Sequence, residues 1–102
     1  MTTINGTKVS TIIIACDAGM GSSAMLASRL SQKLAAQKVT VKHSAINQIP
    51  EQVDLVMCHE GLAARARSIR PGVAVVPFRL FIGDPVFDRV VAAVRDGKDI
   101  VG

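Results

Sequence analysis

The sequence predicts an α/β domain in which a small four-stranded parallel sheet, of strand order 2-1-3-4, carries helices on both faces as a three-layer sandwich. Short apolar segments of strand length alternate along the chain with segments of helical periodicity, a pattern typical of parallel strands joined by helical crossovers. The chain has 102 residues, of which 49% are hydrophobic, and no long linker-like stretch. We therefore expect one domain over residues 1–102, with its core at about residues 8–96 and loose polar ends.

The first half of the chain is predicted to fold as strand, helix and strand. Residues 9–15 are expected to form the first strand because they include three consecutive isoleucines. Residues 22–37 are expected to form a helix because three leucines recur there at four-residue spacing, which places them on one stripe. Residues 39–44 alternate apolar and polar side chains, as a half-buried strand does.

The second half repeats the alternation. Residues 53–58 and 73–77 are apolar runs of strand length, and a weakly helical segment at residues 61–68 and a Pro71-Gly72 turn separate them. The last helix is predicted by apolar residues at helical spacing, namely Phe87, Val90, Val91 and Val94.

Composition excludes several classes of protein. The net charge is +4, but the chain has no Trp, no Tyr and only three Phe, so we expect no nucleic-acid partner. No apolar run approaches the roughly 20 residues that span a bilayer, and the first residues lack a signal pattern, so we expect a cytoplasmic protein without membrane insertion. The two cysteines are not expected to form a structural disulfide, and their spacing suits neither a metal nor a cofactor.

The segment after the first strand has the composition of a phosphate-binding loop with a nucleophile at its mouth. Glycine-rich turns between a strand and a helix let backbone N–H groups converge on an anion, and the helix N-terminus adds further donors. Cys16 begins the segment and is expected to be reactive. The loop residues are Asp17, Ala18, Gly19, Met20, Gly21, Ser22 and Ser23.

The sheet order predicts which side chains accompany this loop. Ligands of open parallel sheets bind beyond the carboxyl ends of the strands, where the strand order reverses. We therefore expect Cys16 and the pair formed by Cys58 and His59 to line one crevice. His59 either polarises a phosphoryl group or is a structural residue, and Cys58 is interpreted as a small buried apolar residue rather than a second nucleophile.

A cysteine beneath such a loop can become a phosphocysteine. A phosphatase of the Cys-(x)5-Arg type would need an arginine where Ser22 stands, so the loop is better suited to holding a phosphoryl group for transfer. The hydroxyls of Ser22 and Ser23 either bond the phosphate or cap the helix. Asp84-Pro85 is similar to the general-acid dipeptide of cysteine phosphatases, but we interpret it as the N-cap and first residue of the last helix.

The segment at residues 16–25 resembles the phosphorylation loop of the mannitol-type IIB component of the bacterial phosphoenolpyruvate-dependent sugar phosphotransferase system. The similarity continues at residues 44–50, at residues 53–56 and at His59, and it covers residues 9–67. The resemblance implies a flavodoxin-like or phosphatase-like parallel sheet and a single IIB phosphotransfer domain. It also implies that Cys16 is the phosphorylated nucleophile and that residues 17–23 hold the phosphoryl group.

The resemblance further implies a relay with two partners. A histidine-phosphorylated IIA protein would donate to Cys16, and Cys16 would donate to a sugar, mannitol or another hexitol, held by a IIC membrane permease. The chain would then be a protein-phosphocysteine–sugar phosphotransferase, a monomer peripheral to the membrane through the permease. Two alternatives remain open: a low-molecular-weight-type cysteine phosphatase, and a regulatory module whose phosphocysteine controls binding to another protein.

Overall fold

The computed structural model describes residues 3–16, 21–79 and 84–101. Six strands and three α-helices lie in these ranges. In chain order they are β1 (Thr3–Asn5), β2 (Thr11–Cys16), α1 (Gly21–Lys33), β3 (Thr40–Ala45), β4 (Leu55–His59), α2 (Ala63–Ile69), β5 (Ala74–Phe78), α3 (Pro85–Asp96) and β6 (Asp99–Val101).

Four of the strands form the parallel sheet that the sequence predicted. Their spatial order is β3-β2-β4-β5, which is the predicted order 2-1-3-4 counted over these four strands. In the middle of the sheet, Ile14 is paired with His43 on one side and with Met57 on the other. Since all four strands run the same way, their carboxyl ends lie along one edge of the sheet.

Successive side chains of each strand point to opposite faces of the sheet, so the core consists of two clusters, one on each face. On one face, Ile12 and Ile14 pack with the apolar stripes of α1 and α3. On the other face, Ile13 and Val56 pack with α2 and the link before β4. Each fully buried aliphatic side chain of this kind stabilises the fold by about 1.5–3 kcal/mol. Helices therefore cover both faces, and the three-layer prediction is confirmed.

Helix α1 ends at Lys33, four residues before the predicted end. Leu34 is still fully buried, but it lies in a turn with φ −107°. A short 3₁₀ turn follows, and Lys38 then adopts a left-handed conformation with φ 58°. The leucine periodicity made the predicted helix too long because the last leucine packs into the core from outside the helix.

The chain ends form an antiparallel ribbon that the sequence analysis did not predict. Strand β1 pairs with β6, with Ile4 opposite Ile100 and Asn5 opposite Asp99. The Nδ2 of Asn5 donates to the carbonyl of Gly97 over 2.8 Å, and Ile100 is buried against α3 and β5. Both segments had been expected to be loose, so this pairing is a correction to that expectation.

Two side chains, those of Asp54 and Arg70, form hydrogen bonds near the amino-terminal edge of the sheet. The Oδ2 of Asp54 accepts hydrogen bonds from the amides of Ser10 and Thr11, each over 2.9 Å, and from the Ser10 hydroxyl over 2.8 Å. The guanidinium of Arg70 donates to the carbonyl of Ile49 and, over 3.1 Å, to the carbonyl of Pro50. The start of β2 and the link before β4 are thereby fixed at the edge opposite Cys16.

Among the helices in the described ranges, none has the length and apolar character needed to cross a membrane.

Candidate functional site

Cys16 is the last residue of β2 and is half-buried. Its strand partner on one side is Ala45, the last residue of β3. The next described residue is Gly21, where α1 begins, so strand and helix are joined across the glycine-rich segment. A thiol in this position lies at the carboxyl edge of the sheet, where a strand leads into a helix, and such junctions are a common place for anion binding in parallel α/β domains.

The predicted phosphate loop lies only partly within the described residues. Asp17, Ala18, Gly19 and Met20 fall outside them. Gly21, Ser22 and Ser23 form the first turn of α1, and their side chains are not among those described. The choice between phosphate contact and helix capping for the two serine hydroxyls therefore stays a prediction.

His59 ends β4 on the strand next to Cys16. Ala15 is paired with Cys58, so the residues that follow them in these parallel strands, Cys16 and His59, are neighbours at the carboxyl edge. The alternation of side chains places both on the same face, the one covered by α1 and α3. The predicted proximity of His59 to Cys16 agrees with this register.

Contacts with Gly61 and Phe78 help to hold the imidazole of His59. Its Nδ1 accepts a hydrogen bond from the amide of Gly61 over 3.2 Å, which makes His59 the N-cap of a short 3₁₀ turn. Its ring meets the ring of Phe78 edge-on, with centroids 6.3 Å apart and planes at 88°. Phe78 in turn packs against Phe87 of α3 at 5.2 Å. Sequence reasoning did not identify Gly61 and Phe78 as contacts of His59, although a glycine two residues after the histidine is a capping signal.

Cys58 does not line the crevice with His59, contrary to that part of the expectation. It is fully buried in the second core cluster, on the opposite face of the sheet from Cys16. Burial raises the pKa of its thiol to about 11, against the smaller opposing effect of the Arg67 charge. The interpretation of Cys58 as a buried apolar residue is confirmed.

Asp84 caps α3, as the sequence predicted. Its Oδ1 accepts from the amide of Val86 over 3.0 Å, and Pro85 is the first helical residue. Its Oδ2 accepts from the amide of Arg79 over 2.7 Å. Because both carboxylate oxygens hold backbone amides, the structure favours capping over a role as general acid.

The surface beyond β4 and β5 carries mixed charge. The Nε of Arg79 lies 3.0 Å from a carboxylate oxygen of Glu60, in an exposed ion pair. An open groove runs from this pair along the first turn of α3 to Arg89. Within the described part of the chain, no group of three His, Cys, Asp or Glu side chains is arranged to hold a metal ion.

The fold and the site together define a class of protein. It is a parallel α/β domain with a half-buried cysteine at the end of the first strand of its sheet. The family model described as "PTS system, Lactose/Cellobiose specific IIB subunit" matches residues 11–93. The chain therefore belongs to the PTS IIB family. The match continues well beyond residue 67, where the sequence analysis had placed the end of the resemblance.

Relatives with assigned names extend the comparison. The chain is 41% identical over 91 residues to a mannitol-specific EIICB component of Halalkalibacterium halodurans, a match that covers 87% of this chain and 19% of the relative. It is 39% identical over 97 residues to a mannitol-specific EIICBA component of Vibrio cholerae, covering 93% of this chain and 15% of the relative. The chain thus spans less than a fifth of the length of these curated relatives.

A solved structure supports the fold. The lactose-specific IIB component domain of the phosphoenolpyruvate:carbohydrate phosphotransferase system from Streptococcus pneumoniae superposes with a TM-score of 0.50. The superposition covers 87% of this chain and 90% of that domain, at 17% sequence identity. The likeness concerns the arrangement of strands and helices.

Proposed function

We propose that this chain is a IIB phosphocarrier that accepts a phosphoryl group on Cys16 and passes it to a sugar during uptake. The observation that carries the proposal is the position of Cys16 in a member of the PTS IIB family. Its half-buried thiol ends β2 directly before the segment that leads into α1. A nucleophile at this edge can be reached by a partner, and the helix N-terminus beside it favours a phosphoryl dianion.

In the first step, the sulfur of Cys16 attacks phosphorus on a phosphohistidine of a IIA partner. The sulfur–phosphorus bond forms as the nitrogen–phosphorus bond breaks, and the thiol proton ends on the released imidazole of the partner. The backbone amides of residues 17–23 hold the phosphoryl oxygens in this proposal, as the glycine-rich composition of the segment suggests.

In the second step, a sugar hydroxyl attacks the same phosphorus in a IIC permease. The oxygen–phosphorus bond forms, the sulfur–phosphorus bond breaks, and the hydroxyl proton returns to the sulfur of Cys16. We propose mannitol or another hexitol as the sugar, because the relatives quoted above are named mannitol-specific. Their names also join a B part with C, or with C and A, which supports IIC and IIA parts as partners.

The test is the intact mass of the protein at neutral pH after incubation with phosphoenolpyruvate, the two general phosphotransferase proteins and a mannitol-type IIA. We expect a mass gain of one phosphoryl group that requires IIA and is lost in Cys16→Ser. Cys58→Ala is the matched control, because it removes the buried thiol and should leave the mass gain intact.

The alternatives give different results in the same preparation. A regulatory module would be phosphorylated on Cys16 but would not pass the group to sugar when permease vesicles and mannitol are added. A phosphatase would show no gain from IIA and would hydrolyse an aryl phosphate in a Cys16-dependent way. No mass gain in the wild-type protein, with every carrier shown to be active, would contradict the proposal.

A further inference from the structure

We infer that His59 contacts the phosphoryl group on Cys16 as a neutral imidazole that donates through its Nε2–H, with the Gly61 amide fixing the ring. This inference rests on the proposed function, since it assigns a role in the same phosphoryl-carrying site. It concerns a side chain on β4, outside the loop and helix that follow Cys16.

The sheet register brings His59 within reach of the group on Cys16. The two residues occupy neighbouring last positions on β2 and β4, strands that lie about 4.8 Å apart in a sheet. Their side chains leave the same face of the sheet, because in-register partners of parallel strands point the same way. A phosphoryl group on the sulfur extends further from the backbone than the thiol does, which suits the length of an imidazole on the next strand.

The Gly61 contact determines which ring nitrogen carries the proton. A backbone N–H can only donate, so the Nδ1 of His59 accepts through its lone pair over 3.2 Å. The ring that makes this contact is the neutral tautomer with hydrogen on Nε2. Phe78 touches the ring edge-on and limits its rotation. His59 is therefore oriented as a hydrogen-bond donor rather than as a base.

A donor of this kind can stabilise the phosphoryl group during transfer without any proton leaving the imidazole. The Nε2–H donates to an oxygen of the phosphoryl group, which carries negative charge both before and after transfer, and it holds the group in line for attack. The bonds made and broken at phosphorus are those of the two steps given above. Loss of one well-placed donor to an oxyanion typically slows a reaction by about 100-fold when the site is buried. His59 is only half-buried, so we expect a smaller loss, of about tenfold.

The competing interpretation is that His59 only caps the 3₁₀ turn, and two substitutions separate the roles. His59→Asn places an amide oxygen where Nδ1 lies, so it keeps the hydrogen bond from Gly61, but it has no group at the Nε2 position. His59→Gln places an amide N–H near the Nε2 position but loses the cap. If His59 only caps the turn, His59→Asn should preserve the rate of phosphoryl transfer better than His59→Gln does. If His59 is a donor to the phosphoryl group, His59→Gln should preserve that rate better.

The experiment measures the single-turnover rate of phosphoryl transfer from phospho-IIA to wild type, His59→Asn and His59→Gln, together with the melting temperature of each. We expect His59→Asn to melt as the wild type does but to accept phosphate about tenfold more slowly, and His59→Gln to recover most of the rate. Wild-type transfer by His59→Asn, or equal slowing in both variants, would overturn the inference and leave the proposed function intact. Failure of the wild type itself would overturn both.

A measurement on the wild-type protein tests the inference without depending on how the variants fold. Nitrogen-15 NMR of the imidazole reports which nitrogen is protonated and whether its hydrogen bond changes. We expect the Nε2–H tautomer at neutral pH and a shift of that resonance when Cys16 becomes phosphorylated. The Nδ1–H tautomer, or a resonance that does not move on phosphorylation, would overturn the inference.

Discussion

Cys16 and Cys58 lie one residue out of register on adjacent strands, and this offset gives them opposite surroundings. Cys58 is opposite Ala15, so its side chain points into the core beneath α2. Cys16 follows Ala15 and points to the other face, at the strand end. A disulfide between them would require the backbone to move, because side chains on opposite faces of a sheet cannot meet.

Thiol labelling of the native protein should therefore modify Cys16 much faster than Cys58. With iodoacetamide at about pH 8, Cys58 should react at least tenfold more slowly, because burial excludes the reagent and raises the pKa of the Cys58 thiol to about 11. Peptide mass spectrometry measures the modification at each site. Both cysteines should react once the chain is unfolded in urea, and labelling of Cys58 as fast as that of Cys16 in the native protein would contradict the burial described here.

The sequence predicted the strand that ends at Cys16 better than it predicted the surroundings of His59. The strand and the glycine-rich segment around Cys16 are local patterns that can be recognised in consecutive residues. The orientation of His59 depends on Phe78, which is close only because β4 pairs with β5. Such a contact is tertiary and leaves no local signal. Recognition of the histidine was thus possible from the sequence, whereas its ring orientation was not.

At the scale of elements, Asp54 joins the starts of two central strands. It accepts three hydrogen bonds from Ser10 and Thr11 at the start of β2, and its own amide donates to the Thr11 carbonyl over 3.1 Å. Partial burial acts to raise the pKa of the Asp54 carboxyl, but the hydrogen bonds from Ser10 and Thr11 together lower it below the usual value of 3.8. The charged carboxylate is therefore the form that the fold prefers.

This preference predicts an acid-dependent loss of stability. Because the pKa of Asp54 is lower in the folded state, its contribution is complete above pH 3.8 and disappears as the pH falls through the folded-state value. Asp54→Asn should lower the free energy of unfolding by about 1 kcal/mol at neutral pH, since solvent weakens these bonds at a half-buried site. Urea unfolding as a function of pH measures both effects.

The control is Ser10→Ala, which removes the hydroxyl donor and keeps both backbone amides. It should produce a smaller loss at neutral pH than Asp54→Asn and keep most of the acid dependence. An unchanged acid dependence in Asp54→Asn would contradict the assignment of this effect to Asp54.

Elements with local signals at their ends were predicted best. Asp84 and Pro85 start α3, and Gly97 ends it with φ 71°, a conformation that favours glycine. The link before β4 is held instead by Arg70, which reaches back to carbonyls some 20 residues earlier in the chain. Nothing in the residues near Arg70 distinguishes it from a solvated surface arginine, so its structural role required the folded chain.

At the scale of the whole molecule, the ribbon formed by β1 and β6 packs against α3. Gly6 follows β1 and donates its amide to the carbonyl of Lys98 over 2.8 Å. It is buried so close to α3 that a Cβ atom placed there would lie 2.0 Å from the carbonyl oxygen of Ala93. Each strand of the ribbon has three residues and only one isoleucine, too short a pattern to predict pairing across the chain.

Gly6→Ala is therefore expected to destabilise the protein by about 1–3 kcal/mol, because the added methyl group forces the ribbon or α3 to move. Thermal unfolding measures the change. Gly61→Ala is the matched control, since among the described residues a Cβ there would meet only the His59 Nδ1, at an ordinary contact distance of 3.5 Å. A Gly6→Ala protein as stable as the control would show that the close approach to α3 is not required.

The ribbon also allows β6 to be linked to β1 by a short engineered turn, which would make residues 3–101 a closed ring. Thr3 lies opposite Val101, so a turn of about two residues between them would complete an ordinary β-hairpin. The exposed turn at Pro71 and Gly72, beyond the helix α2, would then be a suitable place to open the ring. A circular permutant with those new ends would keep each strand, helix and register described above, with Cys16 and His59 still on adjacent strands.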